Sequence, residues 1–298
     1  MSKRFKHENT QDKVLILVFY AILIMVLIIV AYPLIYIVSA SFSDPQAVIS
    51  GEVVLFPVSP TLRGYTAVFK NNKILTGFRN SIIYMVVGTI VNITMTILCA
   101  YPLSRKEFTA RNKLSALFVF TMYFSGGLVP TYILVNKLGL INSPLAMIIP
   151  SAMSTYNMII CRTFMQNSIP DELYEAGQID GCTPWKYLIK VAVPLCKPII
   201  AVLVLYYGVA KWNSYFDAML YLKKDNLQPL TIVIREILIQ NKIDFTMLSD
   251  AKAASELQGL TQLLKYSTIV VASVPVLIIY PFVQKHFVKG AMIGAVKG

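Results

Sequence analysis

The sequence predicts an all-α membrane protein with six transmembrane helices and both termini in the cytoplasm. Three observations carry this. Charged residues make up only 14% of the 298 residues, where a soluble domain has about 25%. Hydrophobic residues reach 56%, with a mean hydropathy of +0.63. The apolar residues are gathered into runs of span length, and the basic residues stand at the ends of those runs. A net charge of +12 would suggest nucleic acid in a soluble protein, but this placement assigns it to orientation in lipid. No nucleic-acid partner is therefore expected; membrane lipid is.

Residues 1–13 are polar and basic, with Lys3, Arg4, Lys6 and Lys13, and read as a cytoplasmic segment ahead of a membrane domain over 14–298. Residues 14–37 form the first span. At about 24 uncharged residues it is too long for a signal peptide, and no A-x-A site follows. Residues 38–80 are a long loop with Pro45, Pro57 and Pro60, and 81–103 form the second span. Asn92-Ile93-Thr94 matches a glycosylation sequon but lies within lipid, which discounts it. Arg105, Lys106, Arg111 and Lys113 then place four positive charges in nine residues, a strong cytoplasmic marker.

Residues 114–134 form the third span, where Gly126-Gly127 and Pro130 predict a bend or an early exit from the helix. A short outer loop, 135–144, carries one basic residue, Lys137. Residues 145–161 form the fourth span, closed by Arg162. The fifth covers roughly 191–210, and 211–263 is a long polar outer segment. Residues 266–282 form the sixth span. The tail, 284–298, is basic through Lys285, His286, Lys289 and Lys297 and is read as cytoplasmic.

The stretch that organises the chain is the polar loop over 165–197, between the fourth and fifth spans. It reads as two short helices with a glycine break. Ser168 is expected to cap the first, with Asp171 at capping-box spacing and Pro170 tolerated in the first turn. Asp171 and Glu172 suit the positive end of its dipole. Leu173, Ala176, Gly177 and Asp180 share a face, small enough in the middle for another backbone to approach. Gly181 can take the left-handed conformation that ends the helix. Thr183-Pro184 caps a second helix with Trp185, Leu188 and Ile189 on its apolar side. A plain connecting loop at the membrane surface would account for the same physics.

The span cores contain no Asp, Glu, Lys, Arg or His, Lys197 standing near the start of the fifth. An ion-coupled carrier normally keeps an ionisable group at membrane depth despite a cost of about 3 kcal/mol. The chain also has no GxxxxGK[ST] phosphate loop, so any nucleotide chemistry falls to a partner. The only histidines, His7 and His286, lie near the termini and argue against a histidine-based catalytic site. Cys99, Cys161, Cys182 and Cys196 form no CxxC pair and are expected to be free thiols, with no metal site.

Glu175-Ala176-Gly177, three residues, Gly181, nine residues and Val191-Ala192-Val193-Pro194 resemble the EAA signature of ABC importer permeases. That signature runs Glu-Ala-Ala, three residues, Gly, nine residues, Ile-x-Leu-Pro. Here Gly177 replaces the second alanine and two valines replace Ile and Leu, with the spacing kept. Asn80-Ser81, Ala100-Tyr101, 139–143 (GLINS), Trp212-Asn213 and the tail 284–298 are similar to carbohydrate-importer permeases over nearly the whole chain. That family includes the shorter permease of the maltose transporter. The tail and 124–130 (FSGGLVP) resemble most its polygalacturonan and oligosaccharide branch.

The resemblance implies a type I ABC importer permease fold in a bacterial cell membrane. This chain would be half of an alternating-access pathway for ATP-driven uptake of an oligosaccharide, and not itself an enzyme. The implied partners are a second homologous permease, an ATPase homodimer on the cytoplasmic side that holds ATP and magnesium, and an outer solute-binding protein. No cofactor belongs to this chain. Asp171, Glu172, Glu175, Ala176, Gly177, Asp180 and Gly181 would couple it to the ATPase, and the tail would reach between the ATPase subunits. Residues 211–263 would face the binding protein. Tyr156, Asn157, Tyr206, Tyr207, Trp212, Asn213 and Tyr215 offer the rings, amides and hydroxyls that sugars use, although each alone is more readily a packing or interface residue. A permease for a non-sugar solute and an ion-coupled secondary carrier are the alternatives.

Overall fold

The structure, a computed structural model, describes residues 10–240 and 251–295. The basic residues at positions 3, 4 and 6, the middle of the polar segment at 241–250, and 296–298 lie outside the described residues. Every regular element among the described residues is helical. The chain divides into two compact units, one of residues up to Asn71 with Ile237–Val271, the other of Asn72–Glu236 with residues from Ala272 onward.

In the first unit, α1 (Thr10–Ser41) is apolar on all sides and exposed along nearly its whole length, as a lipid-facing helix should be. The expected loop after it holds two short helices, α2 (Pro45–Ile49) and α3 (Arg63–Lys70). Pro45 at the first turn of α2 and Asp44, whose carboxylate accepts from the Gln46 N–H at 2.9 Å, start α2 in the expected manner. Within the same unit Tyr36 meets Tyr266 edge to face at 5.8 Å, and Ser41 Oγ lies 2.8 Å from Tyr65 Oη.

The second unit is built on α4 (Asn72–Ser104), which begins nine residues before the expected second span. Its first turns are polar because they are partnered. Lys73 Nζ lies 3.0 Å from Asp225 and 3.7 Å from Glu236. Asn80 Nδ2 donates to the carbonyls of Asn226 and Gln228 at 2.8 and 3.0 Å, Tyr84 Oη donates to the Leu227 carbonyl, and Ser81 Oγ accepts from the Leu230 N–H. The expected polar segment is thus largely helical: α12 (Tyr215–Tyr221), a 3-10 turn (Asp225–Leu227) and α13 (Leu230–Gln240). The Asn80-Ser81 pair in the sequence is the clamp that holds it.

The third span breaks where the glycines predicted. α5 (Arg111–Tyr123) and α6 (Leu128–Lys137) meet at 111°, with Gly127 at φ 88° in the break. The fourth expected span is not one helix. A 3-10 turn (Pro144–Met147) gives way to turns over 148–154, and α7 (Thr155–Ser168) starts only at the Ser154 cap. Pro150 is the cause, since it supplies no N–H and keeps Ile149 out of the helical region.

The helix of the fifth span, α11 (Lys197–Trp212), lies at 80° to the helical stretch Pro184–Leu195 that precedes it. It runs past the expected end and takes in Lys211, which is 6% exposed. The expectation of spans free of ionisable groups is therefore corrected: the sequence bounds stopped one residue short of a buried lysine. A continuous helix, α14 (Ala251–Ala295), contains the last candidate span. By length and apolarity three described helices can cross a membrane, or five segments if each bent pair is one crossing.

Replacing Asn80 with leucine leaves two carbonyls of the 225–230 segment unpaired. The expected cost is about 2 kcal/mol, read as a lower thermal midpoint in detergent. An unchanged midpoint would remove the clamp from the fold's stability.

Candidate functional site

The polar loop folds into α8 (Asp171–Ile179), a one-turn α9 (Pro184–Tyr187), a π turn (Leu188–Ala192) and α10 (Val193–Leu195). Ser168 does not cap α8. It is the last residue of α7, and Pro170 is the extended residue before α8. The reason is local: Pro170 forces Ile169 to an extended backbone, φ −113° and ψ 103°, so a helix cannot start before Asp171. Asp171 serves another partner. Lys106 Nζ lies 2.6 Å from its carboxylate and holds the Asp171 carboxyl below the usual carboxylate range.

The far end of α8 closes as expected. Gly181 has φ 70°, its N–H donates to the Gln178 carbonyl, and the Cys182 N–H donates to the Gly177 carbonyl at 2.8 Å. Thr183 caps α9 by accepting from the Lys186 N–H. The departure from the signature at Gly177 has a structural cause: a Cβ there would lie 3.1 Å from the Tyr187 ring. Of the four residues expected to share a face, Gly177 is turned toward that ring, while Leu173, Ala176 and Asp180 are exposed. Glu172 and Glu175 are exposed too, and Ile179 is 87% exposed. The expected apolar side of α9 is split, with Leu188 buried but Trp185 and Ile189 out in the open.

α8 is fastened to the end of α4 by a cation in an aromatic cage. The Arg105 guanidinium carbon lies 5.2, 4.9 and 5.3 Å from the ring centroids of Tyr101, Tyr174 and Tyr187, which belong to α4, α8 and α9. Tyr174 and Tyr187 meet edge to face at 5.0 Å. Arg105 is 7% exposed, so these contacts are made out of water, where such a pair is worth about 2 kcal/mol. Arg162, expected to close a span, instead sits within α7 and donates from Nε to the Leu103 carbonyl at 2.9 Å. Sequence reasoning counted Arg105 as an orienting surface charge. The only hint was three tyrosines at positions 101, 174 and 187, and nothing in the sequence says that they meet.

The residues proposed to line a sugar path do not form one cluster. Tyr207 is buried, its hydroxyl 2.7 Å from Thr96 Oγ1 and accepting from the Ser154 N–H. Trp212 is buried, donates from Nε1 to the Ala272 carbonyl and meets Phe78 edge to face. Asn157 is buried in the first turn of α7, where its N–H reaches Ser154 Oγ. Asn213 folds back onto the Val209 carbonyl, and the Tyr215 ring lies 5.5 Å beneath Arg235. Tyr156 and Tyr206 are exposed. The buried members serve packing here, and the exposed ones retain free ring surface.

Residues 74–293 match the family described as the binding-protein-dependent transport system inner membrane component. The chain is 39% identical to the polygalacturonan/rhamnogalacturonan transport system permease protein YtcP of Bacillus subtilis (strain 168), over 94% of this chain and 96% of that one. It is also 39% identical to protein LplC of the same organism, over 89% of each chain. Among solved structures, a bacterial ABC transporter involved in the import of the acidic polysaccharide alginate has a chain that superposes with a TM-score of 0.86 at 29% identity. That match covers 94% of this chain and 99% of the other. The fold is thus that of a type I ABC permease.

Replacing Arg105 with methionine keeps an apolar stem and removes the cation. Amide hydrogen exchange across 171–179 is expected to rise by about tenfold or more, with residues 84–100 of α4 unchanged. Equal protection in both proteins would eliminate the cage as the fastening. The Lys106–Asp171 pair is exposed and adds little at neutral pH. Because the Asp171 carboxyl is depressed, the contribution of this pair persists above the ordinary carboxylate range and disappears only as pH falls through the lowered value. Titration of Asp171 by NMR, with and without Lys106→Ala, checks the direction.

Proposed function

The chain belongs to the family of binding-protein-dependent transport system inner membrane components, and from that premise we propose how it works as the permease subunit of a sugar importer. It is a transmembrane transport subunit that carries oligosaccharide across a bacterial plasma membrane, which it crosses several times. Its similarity to YtcP over nearly the full length supports the oligosaccharide reading over a non-sugar solute or an ion-coupled carrier. It forms half the pathway beside a second homologous permease. The chain crosses the membrane six times with both ends in the cytoplasm, the two bent helix pairs and the broken 144–168 segment supplying the crossings that are not single straight helices.

The observation that carries the mechanism is the fastening of α8. A helix of nine residues, none of them buried, presents Glu172, Glu175 and Ile179 outward while Tyr174 and Asp171 grip the end of α4 through Arg105 and Lys106. An exposed helix held rigidly at its back is suited to receiving a push. Asp171, Glu172, Glu175, Ala176, Gly177, Asp180 and Gly181 make up this docking element on a cytoplasmic ATPase homodimer, which binds ATP and magnesium. When ATP closes the ATPase pair, α8 moves with it. The cage passes the motion to α4, and α9 with the π turn passes it to α11. The spans then open outward, and sugar is released from an outer solute-binding protein into a midline cavity. The 211–240 helices clamped by Asn80 face that protein, and hydrolysis restores the inward-facing state. Tyr156, Tyr206 and Asn213 are the path candidates with exposed surface.

Reversing one charge on the exposed face tests this reading. In the complete importer reconstituted in liposomes, Glu175→Lys is expected to lower ATP-driven sugar uptake about tenfold or more while ATP hydrolysis and membrane abundance persist. Normal uptake in this variant would end the docking role of α8. Uptake by the purified chain alone, without nucleotide, would end the importer reading itself.

A further inference from the structure

Halfway along α4 the chain holds a cation that the coupling mechanism does not use. Gly88 lies sixteen residues from each end of α4, about 24 Å along the helix axis. The lack of a side chain at Gly88 makes room for Lys211 of α11: a Cβ there would stand 3.0 Å from both Cδ and Cε of the lysine. The Lys211 ammonium donates to the Met147 carbonyl and to Ser151 Oγ, each at 2.6 Å. That uses two of its three N–H donors. Among the described residues no carboxylate lies within ion-pair distance of it.

The surroundings are polar and incompletely satisfied. Asn92 Nδ2 donates to the Ser151 carbonyl at 2.7 Å, yet Asn92 Oδ1 and the neighbouring Thr89 Oγ1 are buried without a partner among the described residues. Residues 148–154 are turns, and Ser151 is exposed. Irregular backbone at membrane depth survives only where protein covers it or where it lines an aqueous cavity. The exposed Ser151 in this turn, hydrogen-bonded to the buried ammonium, fits the second case. With no carboxylate beside it, the Lys211 ammonium is a group that an anion in front of Ser151 would help to neutralise.

We propose that Lys211, acting through the Ser151 hydroxyl at the wall of the pathway, selects oligosaccharides that bear carboxylates, so that the substrate class is an acidic, uronate-containing sugar. Lys211 is a positioning and specificity residue: its charge orients the Ser151 hydroxyl and favours a carboxylate passing in front of it. This rests on the importer reading and narrows it. The same hydrogen bonds also hold the 147–151 turn in place, and a purely structural role would affect every solute alike.

The test compares trigalacturonic acid with its carboxyl-reduced, neutral counterpart. Binding of each to the complete permease–ATPase complex in nanodiscs is measured without the outer binding protein, so that selectivity belongs to the membrane part. Wild type should bind the acid more tightly by about tenfold or more. Lys211→Met should lose that preference, weakening binding of the acid far more than that of the neutral sugar, and Lys211→Arg should retain it. Ser151→Ala, which leaves the buried cation in place, should weaken the preference in part. Equal loss of both sugars in Lys211→Met, or no preference in wild type, overturns the proposal. ATP-dependent uptake by the same complex in liposomes separates the two readings. Uptake indifferent to Lys211 overturns only the selectivity, whereas absence of any nucleotide-dependent uptake takes the importer reading down with it.

Discussion

A guanidinium held among three tyrosine rings is the contact on which the fold of the polar loop depends. Arg105 follows directly on the last turn of α4, and its three partners come from α4, α8 and α9. Without it, α8 would be a nine-residue helix with no buried residue of its own, and helices of that length are marginal in water. The cage gives α8 a back to lean on and leaves its front free. The glycine at 177 belongs to the same arrangement, since a Cβ there would stand 3.1 Å from the Tyr187 ring and press on it.

The other recurring theme is irregular backbone made tolerable by specific polar partners. Along 147–154, Lys211 donates to the Met147 carbonyl, Asn92 donates to the Ser151 carbonyl and Tyr207 accepts from the Ser154 N–H. The 225–230 segment is met by Asn80, Ser81 and Tyr84. The backbone at the end of α12 is met by Asn142 from the loop after α6, whose N–H donates to the Tyr221 carbonyl and whose side chain accepts from the Lys223 N–H at 2.6 Å. In each place a polar side chain on one element satisfies the backbone of another. Breaks that would be costly in hydrocarbon become fixed joints, and fixed joints between bent helices can transmit motion.

These joints explain how far local patterns carried. The bend at Gly126-Gly127, the stop at Gly181 and the cap at Thr183 were legible because glycine, proline and hydroxyl side chains act within a few residues of themselves. The start of α8 was misplaced at Ser168 because a capping spacing was weighed above the restriction that Pro170 places on Ile169. The fourth span was drawn as one helix because its hydropathy is unbroken, while Pro150 acts on backbone geometry, which hydropathy does not register.

The sequence by itself determined the class of protein, the apolar stretches, the position of the polar loop over 165–197 and the resemblance that names its family, since each is written in composition or in fixed spacing along one strand of text. Tertiary structure alone decided that Arg105 is a buried clasp, that Asn80 grips a segment about 150 residues away, and that Lys211 stands beside Gly88 in the middle of α4. The physical reason is that a charge outside hydrocarbon and a charge buried in a helix bundle look identical in one dimension. What distinguishes them is the partner that folding brings across space, and a single chain carries no local mark of that partner.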